Sequence, residues 1–296
     1  MNNNQHEEDY RRVVKDIEST RFLPDSTIEI IREPNRCRPP RHVLFDFDGT
    51  LSLVREGWPD VMIPMLVEKL RATGTSESDS DLTALVTTFV MELNGKQTIY
   101  QMIRLAEEVE RRGGSPEEPL AYKQQYHDRL MQRIAGRREK LRDGSAMADE
   151  MLVPHSRELL ENLRSRGAAM YVASGTDEQY VIEEARLLGL EEFFGAHVYG
   201  ARDDYKTFSK AMVIERIISE NQIDGDELLG FGDGYVEIQN LKAVDGTAVA
   251  VASDEAGRSG KPDPWKRDRL IGAGADLVIP DYQDCSMLLD YLWSTR

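Results

Sequence analysis

Cysteine is nearly missing from this chain: two residues in 296, Cys37 and Cys285, far apart and in no CxxC pattern. That scarcity excludes a disulfide framework and offers no zinc-ligand spacing, so both read as plain thiols in a reducing compartment. An excess of basic charge is missing too. The 53 acidic residues outweigh 37 basic ones and leave a net charge of -16, with no positive footprint for nucleic acid and no attraction to anionic lipid. No apolar run reaches the ~18 residues of a spanning helix, so no contact with a membrane is expected. The N-terminal stretch MNNNQHEEDYRRVVKD is polar and lacks the apolar stretch of a secretory signal. The expected location is the cytoplasm. No repeat of fixed period and no long low-complexity tract occurs.

What remains is ordinary globular material, 40% hydrophobic and 30% charged, long enough for a full core and a second domain. Residues 7–20 have the pattern of a short polar helix, and 26–34 alternate like an edge strand ending at Pro34. NRCRPPR then reads as a stiff linker. The first buried strand is expected at 42–47. From Trp58 to about Gly144 apolar residues recur near helical spacing in successive segments, and no strand-like run interrupts them. Beyond that block, strands at 168–174, 227–233, 247–253 and 275–281 alternate with amphipathic helices, and AHVYG adds a short strand. Strands separated by helices of this length form a doubly wound parallel sheet. The organisation is thus an extension and linker over 1–41, an α/β core over 42–57 and 145–296, and a helical block over 58–144.

Ligands of such sheets bind at the carboxyl ends of strands, where Asp46, Ser174 and Asp233 all fall. Asp46 is a carboxylate able to attack phosphorus, and Asp48, two residues on along extended backbone, is placed for proton transfer. Clustered carboxylates repel, and a hard cation with oxygen ligands, Mg²⁺, fits between them. Ser174, Gly175 and Thr176 read either as a helix N-cap or as an anion pocket of hydroxyl and backbone N–H groups. A lysine is needed to neutralise phosphoryl oxygens, and both Lys206 and Lys210 are available. Lys261 of GKPDP lies after Asp233, out of order, and reads as part of a turn-rich loop. Glu237 also has a reading as a first-turn acid complementing a helix dipole.

Together, DFDGT (46–50), SGT (174–176), a lysine opening a helix and GDGYVE (232–237) resemble the four motifs of the haloacid dehalogenase superfamily, over residues 42 to about 290. The paired aspartates resemble its phosphatase and phosphomutase branches, of the phosphoglycolate phosphatase and beta-phosphoglucomutase kind. The stretch from Lys210 to Glu237 is similar to that of phosphoserine phosphatases, which favours Lys210 over Lys206. The resemblance implies a Rossmann-like core with an inserted all-helical cap. It implies Mg²⁺ held by the Asp46 side chain, the Asp48 carbonyl and Asp233, with Glu237 acting through metal-bound water or by holding Lys210. Gly49, Thr50, Ser174, Gly175 and Thr176 would surround the phosphate. Arg55 and Trp58, where the chain enters the cap, and the turn NGKQT (94–98) would face a small phosphorylated substrate. His127 and the run GRREK read as solvated helix residues. A phosphomutase needs the same motifs, and a non-catalytic binding protein on this fold is a further alternative.

Overall fold

The computed structural model describes residues 9–14, 20–34 and 38–294, and arranges them around one sheet of eight strands. In chain order come β1 (Arg21–Phe22), β2 (Glu29–Ile30) and β3 (His42–Phe45). Four helices follow: α1 (Pro59–Arg71), α2 (Asp79–Glu92), α3 (Thr98–Arg111) and α4 (Pro119–Asp143). Then α5 (Ser156–Ser165), β4 (Ala169–Asp177), α6 (Glu178–Leu187), α7 (Glu191–Phe194) and β5 (Val198–Ala201) continue the chain. It closes with α8 (Lys210–Asn221), β6 (Leu228–Gly232), α9 (Tyr235–Ala243), β7 (Thr247–Val251), α10 (Pro264–Ala273), β8 (Leu277–Ile279) and α11 (Cys285–Trp293).

The strand order is β1-β2-β8-β7-β6-β3-β4-β5. From β8 to β5 every pairing is parallel, while β1 and β2 add antiparallel at one edge. Because β3 pairs with β4 on one side and β6 on the other, the chain reverses its direction of winding there. That switch point opens a crevice at the carboxyl ends of the three strands. Side chains alternate across the sheet: Val43 and Phe45 pack in one apolar cluster and Leu44 in the other. The Phe45 and Phe231 rings stack at 5.0 Å, locking the two strands that carry Asp46 and Asp233.

The sequence expectations hold for the fold class, an α/β core with an all-helical cap, and need adjustment at the N-terminus. The stretch 26–34 supplies only the two residues of β2, and β2 is not the edge, since β1 lies outside it. The helix expected over 7–20 is absent from residues 9–14, which run irregularly; the remainder of it, residue 20 aside, and Cys37 lie outside the described residues. Cys285 is a buried free thiol at the start of α11. Among the described residues no helix is long and apolar enough to cross a membrane.

Candidate active site

Asp46 follows β3 directly, and its N–H still donates to the Phe231 carbonyl at 2.9 Å, so the ladder to β6 fixes its backbone. Three residues later the loop turns through Gly49 at φ 75°, where an added Cβ would stand 2.3 Å from Asp233 Oδ2. Only glycine permits both that conformation and that approach. Thr50 donates its hydroxyl to Asp233 Oδ1 at 3.3 Å, so it serves the neighbouring carboxylate from a fully buried position.

Lys210 opens α8, whose first turn is capped by the Ser209 hydroxyl accepting from the Met212 N–H at 3.2 Å. From there the ammonium reaches Asp46 Oδ2 at 3.0 Å and Glu237 Oε2 at 2.9 Å. Burial alone would push this lysine's pKa down, but the two carboxylates outweigh it and hold the charge. The other oxygen of Glu237 accepts from the Gly234 N–H at 2.5 Å, which leaves Glu237 as the residue that holds Lys210. Lys206 is exposed on a short turn, its ammonium 5.8 Å from the Tyr205 ring, and takes no part. Burial raises the pKa of Asp46, with Lys210 pulling it back down and Glu237 and Asp233 adding repulsion.

On the opposite wall, Ser174, Gly175 and Thr176 belong to β4 itself. The N-cap of α6 is Asp177, without a side-chain bond, so the capping alternative for Ser174 and Thr176 is corrected. Ser174 Oγ instead accepts from the Thr176 N–H at 3.1 Å, and Thr176 donates its hydroxyl to Asp48 Oδ2 at 2.8 Å. Asp48 Oδ1 has no hydrogen-bond partner, and Arg55 Nε stands 3.7 Å from it. Arg55 is buried and forks onto Glu184 of α6 at 3.0 and 2.9 Å. Burial pushes the Asp48 carboxyl up to about 6, against the pull of Arg55.

The cap closes the crevice into a cavity of about 100 Å³ whose walls include Trp58, Asn94, Thr98, Gln101 and Tyr126. Its turn at 94–98 sits tightly on the strand tips. A Cβ on Gly234 would meet the Gly95 Cα at 2.8 Å, and one on Gly175 would meet the Lys96 carbonyl oxygen at 2.7 Å. Other cap expectations need correcting. His127 is half-buried and stacks on Tyr180 at 4.0 Å rather than lying in solvent. Within GRREK, Arg137 donates to the carbonyls of Val54 and Glu56 at 3.0 and 2.6 Å, pinning the chain as it leaves the core.

Two residues escaped the sequence reading. Lys266, in the first turn of α10, donates to Asp233 Oδ2 at 2.9 Å and to Glu255 Oε1 at 2.5 Å. Burial lowers its pKa but Asp233 and Glu255 raise it further, so it stays charged. Glu255 lies just past β7 and lines the cavity, and the strand-tip rule that singled out Asp46 would have found it. Lys266 lies on a helix, 33 residues from Asp233 in sequence, and no local pattern joins the two.

Asp46, Asp233 and Glu237 each present a carboxylate oxygen within 4.8 Å of the others. An all-oxygen donor set with mutually repelling charges fits a hard divalent cation. Asp46, Asp233 and Glu237 would hold it, and each already accepts at both oxygens: Asp46 from Lys210 and the Phe47 N–H, Asp233 from Lys266 and Thr50, Glu237 from Lys210 and the Gly234 N–H.

A parallel sheet with its crevice at the switch point, acids and a lysine at the strand tips, and a helical lid defines an α/β protein with a Rossmann-like core and an inserted helical cap. The family model for haloacid dehalogenase-like hydrolases matches residues 40–245, and the chain belongs to that family. No curated protein matches it. Among solved structures it is similar to a predicted phosphatase from Clostridium acetobutylicum, at 17% identity and a TM-score of 0.55, over 86% of this chain and 99% of that one. It is similar to a predicted phosphoglycolate phosphatase from Haemophilus somnus at 15% identity and a TM-score of 0.55, over 84% and 97%. A beta-phosphoglucomutase from Clostridium difficile gives 12% identity and a TM-score of 0.55, over 86% and 97%. The shared fold is the one that phosphatases and phosphomutases of the family use.

Proposed function

We propose that the chain is an Mg²⁺-dependent phosphatase of small, hydroxylated phosphomonoesters such as sugar or polyol phosphates. The observation that carries this is Lys210 bridging Asp46 and Glu237 beside Asp48, whose carboxyl is raised to about 6. Asp46 attacks phosphorus as the ester P–O bond breaks, giving an aspartyl-phosphate. The departing oxygen takes its proton from Asp48. The Asp48 carboxylate then removes a proton from water, which attacks the aspartyl-phosphate, frees inorganic phosphate and restores Asp46. Lys210, the Thr176 hydroxyl and the Ser174–Gly175 backbone face the phosphoryl oxygens. When bound at Asp46, Asp233 and Glu237, a divalent cation supplies charge neutralisation between phosphate and carboxylate. The cap keeps bulk water out of the crevice.

The wall facing the leaving group supports a neutral one. Every cation lining the cavity already faces a carboxylate: Lys210 faces Asp46 and Glu237, Arg55 faces Glu184, and Lys96 faces Asp9. Asn94, Thr98, Gln101 and Tyr126 offer uncharged hydrogen-bonding groups beside the Trp58 ring. A phosphomutase must hold a second phosphate on its bisphosphate, and a cation committed to a protein carboxylate is poorly suited to that. The test is a phosphate-release screen over phosphorylated metabolites, with and without Mg²⁺. Release from neutral sugar or polyol phosphates only with Mg²⁺, lost in Asp46→Asn, is expected. Equal release by Asp46→Asn overturns the reading.

A further inference from the structure

Residues 9–14 cross α9 and α10 as an irregular strap and end at the cap. The Val13 and Val14 N–H groups donate to the Gly272 carbonyl at 2.8 and 3.2 Å. Arg12 forks onto Asp268 at 2.9 and 3.0 Å, and Gln239 donates to the Arg11 carbonyl at 2.8 Å. The groove is shaped for this strap, because a Cβ on Gly272 would meet the Tyr10 hydroxyl at 2.4 Å. Tyr10 packs edge-on against Tyr235 at 5.4 Å, and the Arg269 guanidinium covers both rings, 4.2 Å from Tyr10 and 4.9 Å from Tyr235. That same Arg269 donates to the carbonyl of Glu92, at the end of α2 in the cap, at 2.7 Å. Beyond it, Asp9 accepts from Lys96 Nζ at 2.7 Å.

The Lys96 side chain is only 4% exposed, and its backbone carbonyl is the group pressed against Gly175 in the phosphate pocket. An ammonium withdrawn from water needs a counter-charge. Remove that charge and the side chain is driven outward, taking with it a turn packed on Gly175 and Gly234. We propose that Asp9 is a positioning residue for the active site, acting through Lys96 to hold the cap turn 94–98 against the phosphate pocket. The strap thereby couples cap closure to a segment outside the four motifs. Its catalytic consequence rests on the phosphatase reading above, while its structural consequence does not.

Exposed ion pairs contribute little as a rule, and Asp9 is itself 84% exposed, so the effect belongs to the turn and not to global stability. The test compares Asp9→Asn and Asp9→Glu with the parent full-length chain. Amide hydrogen exchange is followed at 94–98, and hydrolysis of p-nitrophenyl phosphate with Mg²⁺ gives KM and kcat. Asp9→Asn is expected to speed exchange at 94–98 about fivefold and raise KM by a similar factor, with kcat within about twofold and an unchanged Tm. Asp9→Glu restores parent exchange and KM. Exchange at 94–98 that is the same in Asp9→Asn and the parent overturns the proposal, whatever KM does. A parent that hydrolyses no phosphomonoester defeats the phosphatase reading, and exchange still decides the strap.

Discussion

Asp48 sits where burial and charge pull in opposite directions, and burial prevails: its carboxyl rises from an ordinary 3.8 to about 6. A group whose folded value exceeds its unfolded one stabilises the fold fully below the unfolded value, and loses that contribution as pH climbs through the folded value. Between pH 4 and 6 the unfolded chain therefore ionises first, and the folded state weakens. At pH 7 the ionised Asp48 costs the metal-free protein at most about 3 kcal/mol, from 1.36 kcal/mol per unit. Asp48→Asn removes the ionisation while keeping the shape. In chelator-treated protein it is expected to melt higher than the parent at pH 7 and near the parent at pH 4. A lower Tm at pH 7 would show that the carboxylate is stabilised in place. The strain is useful, because a carboxyl poised near neutrality both gives and takes a proton.

Among elements, one buried ion pair anchors the segment by which the chain leaves the core for the cap. Arg55, on the segment leading into α1, meets Glu184 of α6 with both side chains buried. Removing one partner of such a pair strands the other charge, whereas removing both with apolar groups of similar volume is often neutral. Arg55→Met is thus expected to lower unfolding free energy by about 3–5 kcal/mol, and Arg55→Met with Glu184→Met to recover most of it, as read by urea denaturation. Additive losses in the double variant would contradict this. The helices and parallel strands were legible because their apolar periods differ and glycines or prolines punctuate them. Three features were not. The SGT stretch continues β4 instead of capping α6, a choice made by pairing with β5. Two-residue β1 and β2 are too short to carry a period. Arg55 and Lys266 find their partners only across the fold, at separations of 129 and 33 residues.

The whole molecule brings strand tips from three distant segments under a lid, and that convergence is what a motif search can only infer. DFDGT and GDGYVE each announce a turn past a strand, and SGT falls at the carboxyl end of another, so the crevice could be anticipated from the chain. The acid–lysine ledger inside it could not. Lys266 and the half-buried Glu255 add a second ion pair beside Asp233, and Glu237 bonds Lys210, because charge balance in an enclosed site is settled by packing. The strap over α9 and α10 is equally invisible in a polar N-terminal stretch. The central claim is that Asp46 becomes transiently phosphorylated. Acid-quenching the enzyme during turnover of a phosphomonoester it accepts, followed by peptide mass spectrometry, tests it directly. The account predicts the mass of one phosphoryl group on the peptide bearing Asp46, with none in Asp46→Asn. Steady turnover with the peptide unmodified at every quench time, or the label on another residue, would contradict it.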